Sequence, residues 1–283
     1  MQTFWKLHGA GNDFILLDDR DRTFPTARAD SIRTLCDRRT GIGSDGLLLI
    51  QSADAPDADL RMRFFNPDGN EADMCGNAAR CLARLAVDRG LAANPMTIET
   101  RAGPIRATVH ANGAVTVAMP APSPVQACEL DLDDGRPLAG VRVNTGVPHA
   151  VFIVEDLAAT PVATLGAAIR RHPDFAPAGT NVDFVAITGP AALAIRTYER
   201  GVEAETAACG TGITAAALAA ADAGAVKPPV RVTTAGGDTL TVNFERRGSS
   251  VVHVTLTGPA VYVFEGHLAP ALENALRAGA GPV

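Results

Sequence analysis

The chain carries one short pattern twice: a cysteine and a glycine followed by a run of small residues. Cys75-Gly76 precedes one alanine-rich stretch, and Cys209-Gly210 precedes another. Alanine is the best helix former, so each stretch predicts a helix with its cysteine at the N-terminus. Backbone N–H groups and the helix dipole favour an anion at that end, so the position favours thiolate. Two such thiols acting on one substrate provide one group that removes a proton and one that returns it.

The pattern belongs to a longer internal repeat. Three segments of the first half align at a constant spacing with three of the second: Asn12–Asp19 with His149–Asp156, Ile32-Arg33 with Ile169-Arg170, and Leu47–Ile50 with Phe184–Ile187. The two cysteines are separated by nearly the same spacing. The repeat predicts two copies of one domain, related by pseudo-symmetry.

Composition limits the classes of protein to which the chain can belong. The 283 residues are enough for two domains of ordinary size, and 47% hydrophobic with 20% charged residues is typical of a soluble globular protein. A net charge of −6 without a basic run argues against a nucleic-acid partner. The N-terminus lacks a signal-peptide core, and no apolar run is long enough to cross a membrane. The sequence therefore predicts a cytoplasmic protein with no membrane partner.

The other cysteines do not indicate a disulfide framework or a metal site. Five cysteines are scattered along the chain, and no histidine pair completes a zinc-binding set. Cys36 and Cys81 lie inside predicted helices, where a free cysteine packs as a small hydrophobe. We expect both to be core residues and expect no metal; Cys128 is left unassigned.

The pattern of apolar runs, glycines and prolines predicts an α+β fold. Short strands alternate with helices at Ala27–Asp37, Gly76–Arg89, Leu165–Arg171, Gly210–Ala223 and Leu268–Ala278. The expected architecture is two pseudo-symmetric domains, each a mostly antiparallel sheet or barrel wrapped round a central helix. Pro120, Pro122 and Pro124 indicate a linker. The predicted domains are residues 1–118, joined by the C-terminal segment 264–283, and residues 119–263.

Several motifs together resemble the diaminopimelate epimerase family. They are His8–Phe14, Phe65–Gly69, Asp73–Cys81, Tyr198–Gly201 and Cys209–Gly212, in the family's order and at its separations. The resemblance spans nearly the whole chain and is much more specific than a single Cys-Gly pair. It implies the fold just described. It also implies a homodimer, which members of the family often form.

The resemblance also implies an activity and a set of site residues. The activity is inversion of one α-carbon of LL-2,6-diaminopimelate to give the meso isomer, a step in lysine and peptidoglycan precursor synthesis, with no pyridoxal phosphate, other cofactor or metal. Cys75 and Cys209 are the implied acid/base pair, and His149 and Glu199 are implied beside the reacting ammonium. The implied substrate-binding residues are Asn12, Asn66, Gly76, Asn77, Asn181, Glu199, Arg200, Gly210 and Thr211.

Two alternatives stay open at this point. A related cofactor-independent racemase for another amino acid is one, since Val147 stands where many family members have asparagine and Gly46 where some have glutamine. Proline racemases differ at the first thiol, where histidine usually replaces Asn77. A thiol redox or sensor protein, with Cys75 and Cys209 forming a reversible disulfide, is the non-enzyme alternative.

Overall fold

The computed structural model describes residues 2–132, 137–248 and 250–278. These residues fall into two compact units, one within Met1–Val117 and Gly258–Val283 and the other within Ala118–Thr257. The domain boundary expected between residues 118 and 119 is one residue from the division between Val117 and Ala118. The boundary expected at 263/264 lies inside a strand, Val261–His267, which pairs along its length with the strand Thr3–Gly9 of the first unit.

The elements alternate along the chain as short strands and few helices. The strands are β1 Thr3–Gly9, β2 Asn12–Asp18, β3 Gly46–Gln51, β4 Leu60–Phe65, β5 Glu71–Ala72, β6 Met96–Thr100, β7 Gly103–Val109, β8 Val115–Ala118, β9 Gln126–Asp131, β10 Pro137–Asn144, β11 Pro148–Ile153, β12 Asn181–Gly189, β13 Ala192–Glu199, β14 Ala204–Thr206, β15 Val230–Thr233, β16 Thr239–Arg247, β17 Ser250–Gly258 and β18 Val261–His267. The helices are α1 Ala29–Cys36, α2 Gly76–Asp88, α3 Val162–Arg170, α4 Gly210–Asp222 and α5 Pro270–Ala278, with a 3₁₀ turn at Pro173–Phe175.

The sheet of the first unit has the strand order β18–β1–β2–β3–β4–β6–β7–β8, with the short β5 added to the end of β4. Neighbouring strands are antiparallel except for the pairs β2–β3 and β4–β6. Helices α1 and α2 make the connections that lead into these two parallel pairs, as parallel pairing requires a long crossover.

The sheet of the second unit repeats this topology strand for strand. Its order is β9–β10–β11–β12–β13–β15–β16–β17, with β14 added to β13 and with β11–β12 and β13–β15 as the parallel pairs. The equivalent crossovers contain α3 and α4. The internal duplication and the α+β class expected from the sequence are therefore confirmed.

A helix of small residues lies at the centre of each unit. Helix α2 packs against six strands of its sheet and α4 against six of the other. In α4 every residue from Gly212 to Ala220 is buried, and α2 buries Ala78, Ala79 and Ala83 together with its leucines. A helix that is apolar on all sides has to be surrounded by protein. Alanine side chains allow strands to approach such a helix closely from several directions.

Helices α1 and α3 cover the opposite faces of the sheets. Ile32 and Leu35 of α1 pack into a core with β2 and β3, and Val162 and Ile169 of α3 pack similarly on β11 and β12. Strand β3 is consequently buried on both faces, which explains its continuous apolar sequence. Cys36 and Cys81 are buried core residues, as expected. Among the described residues, no helix is long and apolar enough to cross a membrane.

The main difference from the expected elements is at α3. This helix begins at Val162 rather than at Leu165, with Pro161 at its N-cap. At this position the carbonyl of Pro161 accepts the first helical hydrogen bond, from the Leu165 N–H at 3.0 Å, and the missing N–H of proline is not needed. The prediction relied on apolar periodicity, which begins at Leu165, and did not use Pro161 as the start of the helix.

Gly166 in α3 has no room for a side chain. A Cβ atom there would lie 2.5 Å from Cβ of Tyr198 on β13. Gly→Ala in a helix ordinarily stabilises by about 1 kcal/mol. We expect Gly166→Ala instead to lower the free energy of unfolding by about 1–3 kcal/mol, because the overlap forces α3 away from the sheet. Urea denaturation measures this, with Gly189→Ala as control, since its Cβ would meet only Ala192 at 3.7 Å. A stabilised Gly166→Ala variant would contradict the packing.

Candidate active site

Cys75 is the N-cap residue of α2. Its backbone is extended (φ −143°, ψ 122°), and the helix begins at Gly76. Strand β5, paired with the end of β4, delivers the chain to this position. The cysteine is partly exposed, with the first N–H groups of α2 beside it. The sequence prediction of a thiol at a helix N-terminus is confirmed for this residue.

Asn12 and Asn77 lie beside this thiol. The Cys75 thiol donates to Asn12 Oδ1 at 3.9 Å, and Asn77 Nδ2 donates to the same oxygen at 3.1 Å. Asn77 in turn accepts from Arg80 Nη2 at 2.8 Å, and Arg80 is fully buried one turn into the helix. These hydrogen bonds hold both asparagine side chains next to the sulfur, with the oxygen of Asn12 directed at Cys75 and the nitrogen of Asn77 directed at Asn12.

A charged network holds Asn12 from the other side. Asp45 Oδ2 accepts from Asn12 Nδ2 at 2.9 Å, and Arg38 bridges Asp45 at 2.7 Å and Asp13 at 2.6 Å. The buried Lys6 pairs with Asp13 at 2.6 Å and donates to the carbonyl of Gly43. Because Asp45 takes the amide nitrogen, the oxygen of Asn12 has to point at Cys75.

Asn66 lies in the turn after β4, where its N–H donates to the carbonyl of Asn70 and its carbonyl accepts from Gly69. Gly46, at the start of β3, lies against the ring of Phe64, and a Cβ there would be 2.5 Å from Phe64 Cε2. The Phe64 ring therefore occupies the space that a longer side chain at position 46 would need. This explains why position 46 is glycine here, although some members of the diaminopimelate epimerase family have glutamine there.

Cys209 is the N-cap residue of α4, with the same extended backbone (φ −117°, ψ 110°). It is 8% exposed. Its sulfur lies 3.4 Å from Thr211 Oγ1, and Thr211 Oγ1 lies 2.9 Å from His149 Nε2. The structure thus brings together three residues that the sequence analysis selected separately.

His149 is completely buried and bonded at both ring nitrogens. Its Nδ1 lies 2.7 Å from Asp183 Oδ2, and the other oxygen of Asp183 accepts from Thr197 Oγ1 at 2.7 Å. A Cβ on Gly212 would be 2.5 Å from Asp183 Oδ1 and 3.3 Å from His149 Cε1. The second glycine of Cys-Gly-Thr-Gly is therefore what lets this acid and histidine reach the start of α4.

The environment of Cys209 opposes ionisation. Burial raises the pKa of its thiol well above the usual value, and the negative charges of Glu199 and Asp183 raise it further. Hydrogen bonds from Thr211 and the backbone of Gly212 act in the opposite direction but do not outweigh them. At Cys209, desolvation and the two carboxylates therefore act against the thiolate that a helix N-terminus favours.

Glu199, Asn181 and Arg200 lie around the ends of β12 and β13. Asn181 Nδ2 donates to the carbonyl of Pro148, while its Oδ1 accepts from the Arg200 N–H at 2.8 Å. Arg200 Nη1 donates to the carbonyl of Ala178 at 3.3 Å. Glu199 accepts from Thr206 Oγ1 at 3.0 Å, and burial raises the pKa of its carboxyl group.

The sequence analysis missed several residues of these clusters, above all Asp183, Thr197 and Asp45. Asp183 had a readable signal: an acidic residue within the apolar run Val182–Ala186 of a predicted buried strand. A buried carboxylate is costly unless it is paired and hydrogen-bonded, so such a residue requires partners. Its partner His149 could not be chosen without the register of β11 and β12.

The titratable residues do not form a metal-binding cluster in the part of the chain that the structure describes. All five cysteines are free thiols. The groups available for chemistry at the two helix N-termini are consequently the thiols, the helix N–H groups, and the His149, Glu199 and asparagine side chains around them.

Several solved structures share the fold of this chain. A probable proline racemase from Agrobacterium radiobacter K84 superimposes with a TM-score of 0.68 at 17% identity, covering 95% of this chain and 93% of that one. A hydroxyproline epimerase from Agrobacterium vitis gives 0.67 at 19% identity, covering 94% and 91%. A phenazine biosynthesis protein of the PhzF family from Bacillus anthracis gives 0.68 at 18%, covering 95% and 99%. At these identities the likeness shows a shared fold.

Sequence comparison is more specific. The family model for diaminopimelate epimerase matches residues 4–125 and 141–263. The diaminopimelate epimerase of Aquifex aeolicus is 46% identical over 274 residues, covering 94% of this chain and 97% of that protein. Those of Aromatoleum aromaticum and Moorella thermoacetica are each 41% identical, covering 94% and 93% of this chain and 98% of each relative. The chain belongs to the diaminopimelate epimerase family.

The charged network behind Asn12 generates a pH-dependent stability. Burial alone would raise the pKa of Asp13, but hydrogen bonds from Arg38 and Lys6 outweigh it and hold that pKa well below its usual range. We expect Asp13→Asn to lower the free energy of unfolding by about 3 kcal/mol at pH 7, because it leaves a buried lysine without its partner. Urea denaturation of both proteins from pH 7 to pH 3 measures the difference.

The sign of the pH dependence follows from the lowered pKa. Asp13 stabilises the fold above the pKa of about 3.9 that it has when unfolded, and this contribution declines as the pH falls toward its folded pKa. The difference between wild type and Asp13→Asn should therefore shrink below about pH 4. Asp57→Asn, on an exposed residue, is the control. A difference that stays constant or grows on acidification would contradict the assignment.

Proposed function

We propose that this protein epimerises diaminopimelate, converting the LL isomer to the meso isomer by inverting one α-carbon. The observation that carries the proposal is the equivalent position of Cys75 and Cys209, each the N-cap of the central helix in one of two duplicated units. Membership of the diaminopimelate epimerase family supports the choice of substrate.

The proposed chemistry needs two proton-transferring groups and no cofactor or metal. One thiolate removes the α-proton, the electron pair stays on the α-carbon, and the other thiol delivers its proton to the opposite face. At the end of a turnover the first sulfur carries a proton and the second is a thiolate. The reverse reaction uses the same two groups with exchanged roles.

The burial of Cys209 supports an assignment of starting states. Because its pKa is raised by burial and by Glu199 and Asp183, Cys209 starts as the thiol and acts as proton donor. Cys75 is then assigned as the base, and its thiol, which donates to Asn12 Oδ1 in the structure, has to lose its proton before turnover. The first N–H groups of α2 and its partly exposed position suit this role better than the buried environment of Cys209.

Charge on the α-carbon has to be stabilised, since the α-proton of an amino acid is a very weak acid. We assign this role to N–H groups at the two helix N-termini, which bind the α-carboxylate and face the developing negative charge. The residues that supply them are Gly76, Asn77, Gly210 and Thr211. Preorganised donors of this kind act without reorganisation during the reaction.

The remaining residues bind the rest of the substrate. Glu199 is assigned to the reacting ammonium group, for which a buried carboxylate is a suitable acceptor. His149, whose two ring nitrogens are bonded to Asp183 and Thr211, is assigned to proton handling at Cys209 through Thr211. Arg200 is assigned to the distal carboxylate, since a guanidinium binds a carboxylate through two parallel hydrogen bonds. Asn12, Asn66 and Asn181 are assigned to hydrogen bonds with the non-reacting end.

Two further parts of the proposal are a cytoplasmic location, expected from the sequence, and a homodimer as the assembled state, implied by the family resemblance. Sedimentation of the purified protein tests the second.

The test is turnover by purified variants. Cys75→Ser and Cys209→Ser should each lower kcat for LL-diaminopimelate by about 10³-fold or more, because a hydroxyl is far less acidic than a thiol and cannot replace it as the base or its conjugate acid. Chiral chromatography of the product measures the loss, and circular dichroism checks that each variant is folded. The wild type should convert diaminopimelate in preference to alanine, proline and hydroxyproline.

Cys128→Ser is the matched control, because Cys128 is a partly buried free thiol on β9 with no role assigned in the site. It should retain wild-type activity. Either active-cysteine variant that keeps more than a tenth of wild-type activity while folded would refute the two-thiol mechanism. A wild type that turns over another amino acid but not diaminopimelate would refute the substrate.

A further inference from the structure

A buried chain of hydrogen bonds runs away from the Cys209 sulfur. It passes from Cys209 to Thr211 at 3.4 Å, to His149 at 2.9 Å, and to Asp183 at 2.7 Å. Thr197 donates to the second oxygen of Asp183 at 2.7 Å and closes the chain. His149, Asp183 and Thr197 are buried, so their hydrogen-bonding groups have to be satisfied within the protein.

The direction of each hydrogen bond follows from what each group can donate. Asp183 as a carboxylate only accepts, so His149 Nδ1 carries a proton and donates it to Asp183. In the thiol form the Cys209 S–H can donate to Thr211 Oγ1, 3.4 Å away, whereas the ionised sulfur would accept from that hydroxyl. When the thiol donates, the single proton of the Thr211 hydroxyl is directed to His149 Nε2, and that nitrogen must be unprotonated to accept it.

We propose that Asp183 is a positioning residue that holds His149 in the neutral tautomer protonated on Nδ1, so that Thr211 accepts the hydrogen bond of the Cys209 thiol. This inference deepens the proposed function and rests on it for the meaning of Cys209 as a proton donor. The orientation favours the thiol state of Cys209, so the sulfur is reprotonated after each turnover that leaves it as a thiolate.

The opposite tautomer would reverse the whole chain. With the proton on Nε2, His149 would donate to Thr211, and the Thr211 hydroxyl would donate to sulfur. A hydroxyl that donates to sulfur stabilises the thiolate rather than the thiol. Asp183 therefore determines, through two intervening side chains, which protonation state of Cys209 is favoured.

The charged groups around Cys209 come from few strands. Glu199 of β13 and Asp183 of β12 act on the thiol directly, and His149 of β11 lies beyond Thr211. Three other strands also pack on α4, namely β10, β15 and β16. They contain the charged residues Arg142, Arg231 and Glu245, whose side chains are exposed to solvent. On β13, Arg196 is paired with Glu205. The pH dependence of Cys209 should therefore respond to Asp183 and Glu199.

The first measurement is the ring protonation of His149 in the wild-type protein. Long-range ¹H–¹⁵N spectra of ¹⁵N-histidine-labelled protein distinguish the two neutral tautomers from the imidazolium, and His149→Gln assigns the signal by its loss. At pH 7.5 we expect a neutral ring with the proton on Nδ1. A ring protonated on Nε2, or a doubly protonated ring, would overturn the proposal without any variant of Asp183.

The second measurement compares Cys209 alkylation by iodoacetamide as a function of pH, followed by peptide mass spectrometry. Asp183→Leu removes both the acceptor for Nδ1 and a negative charge, so it should move the His149 proton to Nε2 and raise the alkylation rate at pH 8 by about tenfold or more. Glu199→Gln removes only a charge and should raise the rate while leaving the tautomer unchanged.

Thr214→Val is the matched control, because Thr214 is a buried residue in the first turns of α4 whose hydroxyl donates only to the Gly210 carbonyl among the described contacts. It should change neither the alkylation profile nor the His149 spectrum. An Asp183→Leu variant with an unchanged His149 tautomer or an unchanged alkylation profile would overturn the proposal. If this variant does not fold, the ring protonation of His149 in the wild type tests the proposal by itself. Neither readout needs turnover, so failure of the proposed substrate is seen separately, in the activity of the wild type.

Discussion

Burial of an alanine-rich helix inside a sheet is the interaction on which each unit depends. Helix α4 is buried from Gly212 to Ala220, and α2 buries most of its length. Small side chains let strands on several sides approach the helix, and the apolar surface removed from water stabilises the arrangement by roughly 25 cal/mol per Å². Because the helix is central, its N-terminus is held by surrounding strands rather than exposed at an edge. Residues that precede the helix are therefore fixed in position.

The same burial makes the two cysteines electrostatically different. Both are N-cap residues with extended backbones, yet Cys75 is partly exposed and Cys209 is nearly inaccessible. The Cys75 thiol lies beside the neutral amides of Asn12 and Asn77, whereas Cys209 has the carboxylates of Glu199 and Asp183 near it. A reaction that needs a base and an acid at the same time benefits from such a difference. One thiol can then be ionised at a pH at which the other stays protonated.

The sequence predicted much of this arrangement, for identifiable reasons. A Cys-Gly pair before an alanine run is a local signal, so the positions of Cys75 and Cys209 at helix starts did not require knowledge of the tertiary fold. The family resemblance selected His149, which the repeat aligns with Asn12, and both residues lie beside a thiol or its hydrogen-bond partner. The same alignment predicted two copies of one domain.

Contacts between distant segments were not predictable in the same way. The pairing of His149 with Asp183 depends on the parallel register of β11 and β12, and the link from Asp45 to Asn12 depends on the parallel register of β2 and β3. The raised pKa of Cys209 depends on burial, which a helix-terminus argument leaves out. Phe64 against Gly46 similarly required the pairing of β3 with β4.

Proton exchange with solvent distinguishes the proposed pair of thiols, one for each face of the α-carbon, from a single proton-transferring group. LL-diaminopimelate would be incubated with the reduced protein in D₂O, and deuterium in product and in unreacted substrate followed by NMR at early times. The account predicts meso product with deuterium at the inverted carbon while the remaining LL isomer is still unlabelled. Deuterium entering the LL isomer as fast as the product forms, or product that retains its original proton, would show a single proton-transferring group and contradict the account.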